Sequence, residues 1–341
     1  MLKYITEGKA VIKASAGKIT KKLEVFYNPV MRFNRDTSIL LLNAVSKKEM
    51  QIALPLAGSG IRGIRFFKEL DKGKIREIYL NDYSGSAVDA IKENLKLNKI
   101  RSDFQLSEKD ANMFLLESRG FDYIDIDPFG SPNPFLDSAM KRLARDGILA
   151  VTATDTSALC GTHPEACKRK YWAVPLHNPE MQEIGLRILI RKVQLIAAQY
   201  DKALVPLFSY AKDHYMRIFL RCEKGKKKVD EILAKHQYYK NSGPIWAGEL
   251  FNRQLAEKIS GLNKDKENSR FLDMIRKELD IVGFYDIHDF CKTNRLKIPK
   301  TDALIKKIEQ RYKVSRTHFS DTGIKSDVKE KDLIRIIRQL F

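Results

Sequence analysis

Asp127, Pro128 and Phe129 bring a carboxylate, a rigid carbonyl and an aromatic ring together in the segment FDYIDIDPFGSP (121–132). Phe121, Tyr123, Ile124 and Ile126 form an apolar run of strand length and β-rich composition. The strand has to stop at Asp127, because Pro128 cannot donate to a ladder and the turn-prone Gly130-Ser131-Pro132 follows. Ligands of open α/β sheets bind at the carboxyl ends of strands. A planar amine placed there could donate to the Asp127 carboxylate and the Pro128 carbonyl while its ring stacks on Phe129. The same residues also read as a plain strand-ending turn, with Asp127 binding nearby backbone and Phe129 filling the core.

A second constellation lies upstream. The apolar stretch in IALPLAGSGIRG (52–63) runs into Gly58-Ser59-Gly60-Ile61-Arg62-Gly63, and a helical pattern follows. This is the strand–loop–helix setting that a G-x-G-x-x-G loop needs. The glycines allow close backbone approach to a ligand, and the helix N-terminus offers N–H groups. Asp82 ends the next strand, in REIYLND, where a carboxylate can accept both hydroxyls of a ribose. Asp110-Ala111 follows a third short strand and is suited to an adenine amino group. NAD, FAD and S-adenosylmethionine all use this layout. The Asp-Pro-Phe turn favours S-adenosylmethionine, since amino-group methyltransferases commonly carry an Asp/Asn/Ser-Pro-Pro-aromatic tetrad at that place. Here the tetrad is one proline short.

These residues need a sheet to hold them, and the pattern supplies one. Strands are expected at 51–56, 76–81, 103–107, 121–126, 147–153, 203–209 and 215–222. Helices are expected at 61–70, 84–98, 112–117, 132–144, 164–170 and 180–200. The alternation predicts an α/β, doubly wound, Rossmann-like sheet, with an antiparallel pair at one edge across Tyr210–His214. Ahead of it, residues 1–50 show strand-like pieces at Ala10–Ala14 and Leu23–Tyr27. A helix is expected from about Asp36 to Val45, with Asp36 or Thr37 as N-cap. The basic break at 223–228 predicts a boundary, giving a first domain over 1–222 and a smaller, helix-rich α+β domain over 223–341. In the latter, GPIWAG (243–248) reads as a turn before a buried Trp246, and 301–312 and 328–340 as amphipathic helices.

The chain has 341 residues, with 62 Lys+Arg against 43 Asp+Glu and a net charge of +19. Such a field favours polyanions, nucleic acid above all. Residues 223–341 hold 27 Lys/Arg against 18 Asp/Glu and are the denser part. No apolar stretch reaches membrane-spanning length, and the amino terminus shows no signal pattern, so a cytoplasmic, membrane-free protein is expected. Cys160, Cys167, Cys222 and Cys291 form no C-x-x-C pair and the six histidines no ligand spacing, so no metal is expected. Cys160 could be a nucleophile, but buried, inert thiols are the ordinary outcome for such residues.

Several segments together carry a family resemblance: FYNPVMRFNRDTSI (26–39), LAGSGIRGIRF (56–66), DIDPFGSP (125–132), TATDTSALCG (152–161), EIGLRIL (183–189) and GPIWAG (243–248). The chain resembles archaeal tRNA (guanine-26-N2)-dimethyltransferases over both domains. The resemblance implies S-adenosylmethionine as cofactor, tRNA as partner and methylation of the exocyclic amine of guanine 26. By motif it implies cofactor contacts at Arg35, Gly58, Arg62, Asp82, Asp110 and Ala111, and a catalytic role for Asp127 with Pro128 and Phe129. Many relatives carry a cysteine-rich zinc insertion before the Gly-Pro-aromatic-Trp segment. Here residues 238–242 lead straight into Gly243, which again predicts no zinc. An NAD-dependent oxidoreductase, a non-catalytic RNA-binding protein, and the same chemistry on another guanine or RNA are the alternatives left open.

Overall fold

The computed structural model describes residues 2–15 and 25–341. Two compact units emerge: Met1–Thr154 with Val193–Leu207 and Arg217–Leu233, and Asp155–Lys192 with Phe208–Met216 and Ala234–Phe341. The division is not a single cut at residue 222, because residues 155–192 group with the carboxyl-terminal part.

The first unit opens with an antiparallel hairpin, β1 (Leu2–Glu7) and β2 (Ala10–Ser15). Helix α1 (Arg32–Ala44) then leads into β3 (Met50–Leu54), α2 (Ile61–Glu69), β4 (Ile75–Asp82) and α3 (Gly85–Leu97). The alternation continues through β5 (Phe104–Glu108), α4 (Ala111–Leu116), β6 (Phe121–Ile126), α5 (Asn133–Arg142) and β7 (Leu143–Ala153). After α6 (Thr156–Leu159), α7 (Pro164–Tyr171) and α8 (Met181–Ala198), the chain adds β8 (Lys202–Lys212) and β9 (Tyr215–Lys224).

The seven-stranded sheet has the order β5-β4-β3-β6-β7-β9-β8. Strands β3 to β7 pair in parallel. The two-residue link between β8 and β9 makes that pair antiparallel, as expected. The strand order reverses between β3 and β6, and this switch point opens a crevice at the carboxyl ends of the strands. Near-continuous apolar runs suit a sheet covered on both faces, and Ile52, Leu54, Ile78, Leu80, Ile124 and Ile126 are all buried.

Two amino-terminal expectations need correction. Helix α1 begins at Arg32, not Asp36, because a 3₁₀ turn over Pro29–Met31 leads into it. Asn28 caps that turn by accepting the Val30 N–H at 3.0 Å, so Asp36 lies inside the helix and pairs with Arg65 at 2.6 Å. The expected strand at Leu23–Tyr27 falls partly outside the described residues. Val25–Tyr27 form no strand, although Val25 exchanges hydrogen bonds with Ser15.

The first unit also includes α9 (Lys226–Leu233), so the basic run at 223–228 ends a strand and starts a helix. In the second unit, β10 (His236–Tyr239) pairs with β11 (Ser242–Trp246). The segment expected to be a turn is therefore a strand, though Trp246 is buried as anticipated, with its indole N–H on the Glu249 carbonyl at 2.8 Å. Helices α10 (Arg253–Leu262) and α11 (Lys266–Lys277) follow. A three-stranded sheet of β12 (Tyr285–Asp286), β14 (Ser320–Ser326) and β13 (Val314–Thr317) packs with α12 (Ile287–Thr293), α13 (Thr301–Ile308) and α14 (Glu330–Arg338). Ile287, Cys291, Leu304, Ile308, Leu333 and Ile337 form their core. Deeper in this unit, buried Lys325 pairs with Glu183 at 2.9 Å, and Glu183 also binds Arg187 at 2.9 Å. No described helix is long and apolar enough to cross a membrane.

Candidate active site

The glycine loop takes its shape from backbone that other residues avoid. Gly58 and Gly60 are left-handed, with φ of +55° and +77°. Gly63 serves a different end. A Cβ there would lie 2.7 Å from Leu80 Cδ2 and 3.1 Å from Leu54 Cδ1, so its absence lets α2 lie directly on β3 and β4. Asp82, ending β4, fixes the loop by accepting the Gly58 N–H at 2.8 Å through Oδ2 and the Ser84 N–H at 3.1 Å through Oδ1. Each oxygen retains a lone pair for a further donor. Asp110 caps α4, its Oδ1 accepting the Asn112 and Met113 N–H groups at 2.9 and 3.2 Å. Ala111 is the first residue of that helix.

The Asp127-Pro128-Phe129 turn stands at the end of β6, on the other side of the switch point. Thr154, just past β7, pins it: the Gly130 N–H donates to Thr154 Oγ1 at 2.7 Å and the Thr154 N–H to the Gly130 carbonyl at 3.0 Å. Phe129 is 44% exposed and meets Phe26 edge-on, with centroids 4.4 Å apart. It does not fill the core. Arg35, Gly58, Arg62, Asp82, Asp110, Ala111, Asp127, Pro128 and Phe129 all line one cavity of about 520 Å³. That is room for a cofactor-sized ligand.

The two arginines are built into the protein more deeply than their motifs suggest. Arg35 is buried and chelates Glu7 of β1, at 2.7 Å from Nε and 2.5 Å from Nη2, and also donates to the Asn28 carbonyl at 2.9 Å. Burial would push the Glu7 carboxyl up, but Arg35 and Arg65 more than offset this and hold it at about 2. Arg62 is buried as well. It donates to Asp127, to Asn34 Oδ1 at 2.8 Å and to Ser38 Oγ at 2.9 Å, and lies 3.4 Å from Asp125.

Beneath this layer sits a group that the sequence reading missed. Arg217 of β9 is fully buried and clamps both oxygens of Asp125, at 2.8 and 2.7 Å, while reaching Thr152 and Ser38. Burial pushes the Asp125 carboxyl up, yet Arg217 and Arg62 outweigh it and keep it below the usual carboxylate range. Two signals were available. Asp125 shares a strand face with Asp127 at period two, and Arg217 interrupts the apolar run of β9 with a charge that must find a buried partner. Glu7, Asn34 and Phe26 had no comparable signal.

Neither cysteine near the TATDTSALCG segment is an activated nucleophile. Burial pushes the Cys160 thiol up to about 11 and, helped by Asp155, the Cys167 thiol up to about 12. Among the described residues, no group of three or more His, Cys, Asp or Glu could hold a metal ion.

A family model described as N2,N2-dimethylguanosine tRNA methyltransferase matches residues 4–242 and 236–338. The chain belongs to this family. A Methanobrevibacter smithii protein named tRNA (guanine(26)-N(2))-dimethyltransferase is 37% identical over 382 aligned positions, covering 99% of this chain and 98% of the relative. That alignment is longer than the 341 residues here, so the relative has segments this chain lacks. An Aquifex aeolicus relative, 34% identical over 99% of this chain and 96% of its own, is named tRNA (guanine(26)-N(2)/guanine(27)-N(2))-dimethyltransferase. Among solved structures, Pyrococcus horikoshii Trm1 in complex with S-adenosyl-L-methionine superposes with a TM-score of 0.91 at 36% identity, covering 98% of this chain and 100% of that one. The family match thus extends over both units of the chain.

Proposed function

We propose that this chain transfers methyl groups from S-adenosylmethionine to the exocyclic N2 of guanine 26 in tRNA, giving N2-methyl- and then N2,N2-dimethylguanosine. One observation carries the reading: the Asp127-Pro128-Phe129 turn opens into the same cavity as the glycine loop and Asp82. An amine-holding group and a nucleoside-holding group thereby share one chamber.

The residues present fit the cofactor. Left-handed Gly58 and Gly60 keep the loop free of side chains, and Asp82 retains acceptor capacity for ribose hydroxyls. Asp110 uses Oδ1 on its helix, which leaves Oδ2 for an adenine amino group next to Ala111. Arg35 and Arg62 line the chamber, with their guanidinium groups held on Glu7 and on Asp127. When bound, S-adenosylmethionine supplies a methyl group made electrophilic by its sulfonium.

The protein's task is then the nucleophile, since the guanine amino lone pair is delocalised into the ring. Asp127 and the Pro128 carbonyl accept the amino N–H groups, which localises the lone pair and aims it. Positioning and fixed charge supply most of the rate. Asp127 takes the proton released from the amine. The target base leaves its stack to reach the chamber, and half-exposed Phe129 offers the ring that receives it. For the second transfer, one N–H remains to be held. The basic carboxyl-terminal part binds the tRNA backbone, in the compartment that holds tRNA, which we take to be the cytoplasm.

The test is methylation of an unmodified tRNA transcript with guanine or adenine at position 26, read by nucleoside mass analysis. Dimethylguanosine from the first and none from the second is expected. No product from the guanine transcript would overturn the reading. The Aquifex aeolicus relative's name gives a specific reason to assay position 27 in the same transcripts.

A further inference from the structure

Within the second unit, Arg191 and Lys192 of α8 form a pair of cations with no carboxylate partner among the described residues. Lys192 is only 5% exposed, and its ammonium rests 2.9 Å from the centroid of the Trp172 ring. Arg191 donates to the Trp172 carbonyl at 3.2 Å, and its Nε is buried with no partner. No ion pair involves either residue among the described residues. Buried charges are ordinarily paired, because removing an ammonium from water without compensation is costly. Here burial, aided by Arg191, has pushed the Lys192 ammonium down to about 8.

The surroundings say what kind of anion would compensate. Trp172 is 50% exposed and follows the basic last turn of α7, Lys168-Arg169-Lys170. Tyr238 of β10 is 74% exposed and within electrostatic reach of Arg191. A bridge between Val174 and Gly243 ties the Trp172 segment to the β10–β11 hairpin. Lys168, Lys170 and Lys240 pair with Glu165, Asp155 and Glu180, whereas Arg169, Arg191 and Lys192 have no ion pair among the described residues. Cations beside exposed rings match a phosphodiester with an unpaired base, since every base offers a face for stacking. A globular acidic protein would leave the large rings without a planar partner.

We propose that Arg191, Lys192 and Trp172, with Tyr238, form an RNA docking point: the two cations take a backbone phosphate and the rings take an unstacked base of the tRNA. This rests on the tRNA reading above and assigns part of the RNA surface to residues 168–192, outside the basic carboxyl-terminal third.

The test compares Trp172→Ala, Trp172→Phe, Lys192→Met and Arg191→Gln in the full chain. Readouts are filter binding of an unmodified tRNA transcript, methyl-transfer kinetics and S-adenosylmethionine titration. For Trp172→Ala, tRNA affinity falls and KM for tRNA rises about tenfold, with kcat and cofactor affinity unchanged, and Trp172→Phe recovers most of the loss. For Arg191→Gln, the salt slope of tRNA binding falls by about one. Lys192→Met weakens tRNA binding while holding or raising Tm, an opposition that a merely structural lysine would not show. Wild-type tRNA affinity and salt slope in these variants would overturn the proposal. So would loss of concentration-dependent self-association with tRNA affinity intact, which would make the face an interface between copies. If the wild-type chain bound the transcript without methylating it, the reaction assignment would fail, while binding by the variants would still decide the docking point.

Discussion

Asp127 Oδ2 accepts from the guanidinium of Arg62, and the same guanidinium lies 3.4 Å from the buried Asp125. The Asp127 carboxylate, just past β6, is therefore held by the first turn of α2, the helix that follows the glycine loop. The glycine loop and the Asp127-Pro128-Phe129 turn are thereby mechanically linked.

Asp127→Asn keeps the shape and an oxygen for Arg62 but removes the charge that strengthens the amine. The expected result is a loss of kcat of about 10²–10³, the scale of removing one aligned electrostatic group. Cofactor affinity by calorimetry should stay near wild type. Undiminished methyl transfer in this variant would exclude Asp127 from the chemistry.

Arg62→Lys separates aiming from cofactor binding. Lysine keeps the charge but cannot span Asn34, Ser38 and Asp127 at once. We expect kcat to fall at least tenfold while S-adenosylmethionine affinity changes little, consistent with a group whose bonds go to protein. A large rise in cofactor Kd with kcat unchanged would return Arg62 to a direct cofactor role.

Gly63→Ala forces a methyl against the side chains of Leu80 and Leu54, both buried. Overpacking of this kind costs about 1–3 kcal/mol, against roughly 1 kcal/mol gained in helix propensity. Urea unfolding should show net destabilisation with an unchanged m-value. A more stable variant would mean that α2 does not sit on the sheet as described.

Acid should lower the stability of the chain over two pH windows. Burial, then Arg191, pushes His236 down from 6.5 to about 4. Between those values the unfolded chain binds the extra proton, so stability falls as pH drops through the window. Burial would raise Glu7 and Glu278, but Arg35 and Arg65 for the first, and His318 and Lys325 for the second, bring both to about 2 from 4.5. Their contribution is complete above 4.5 and is lost as pH falls toward 2. Urea midpoints measured between pH 7 and pH 3 check this, and a flat profile would refute it. Glu7→Gln, which takes from Arg35 its ion-pair partner among the described residues while Arg65 keeps Asp36 and Glu69, should cost about 3–5 kcal/mol at neutral pH.

The sequence by itself determined whatever follows from local patterning. Period and punctuation fixed the strand–helix alternation, and the glycine loop with Asp82, Asp110 and the Asp127 turn marked strand ends. Residues at the carboxyl ends of parallel strands on either side of a switch point must face the same crevice, so their convergence on one cavity was legible. Tertiary structure alone decided the pairings that cross long stretches of chain: Glu7 with Arg35 and Arg65, Arg62 with Asp127, Arg217 with Asp125, and residues 155–192 with the carboxyl-terminal unit. Their reason is physical. A charge removed from water must find its partner wherever packing places one, and sequence separation carries no information about that place.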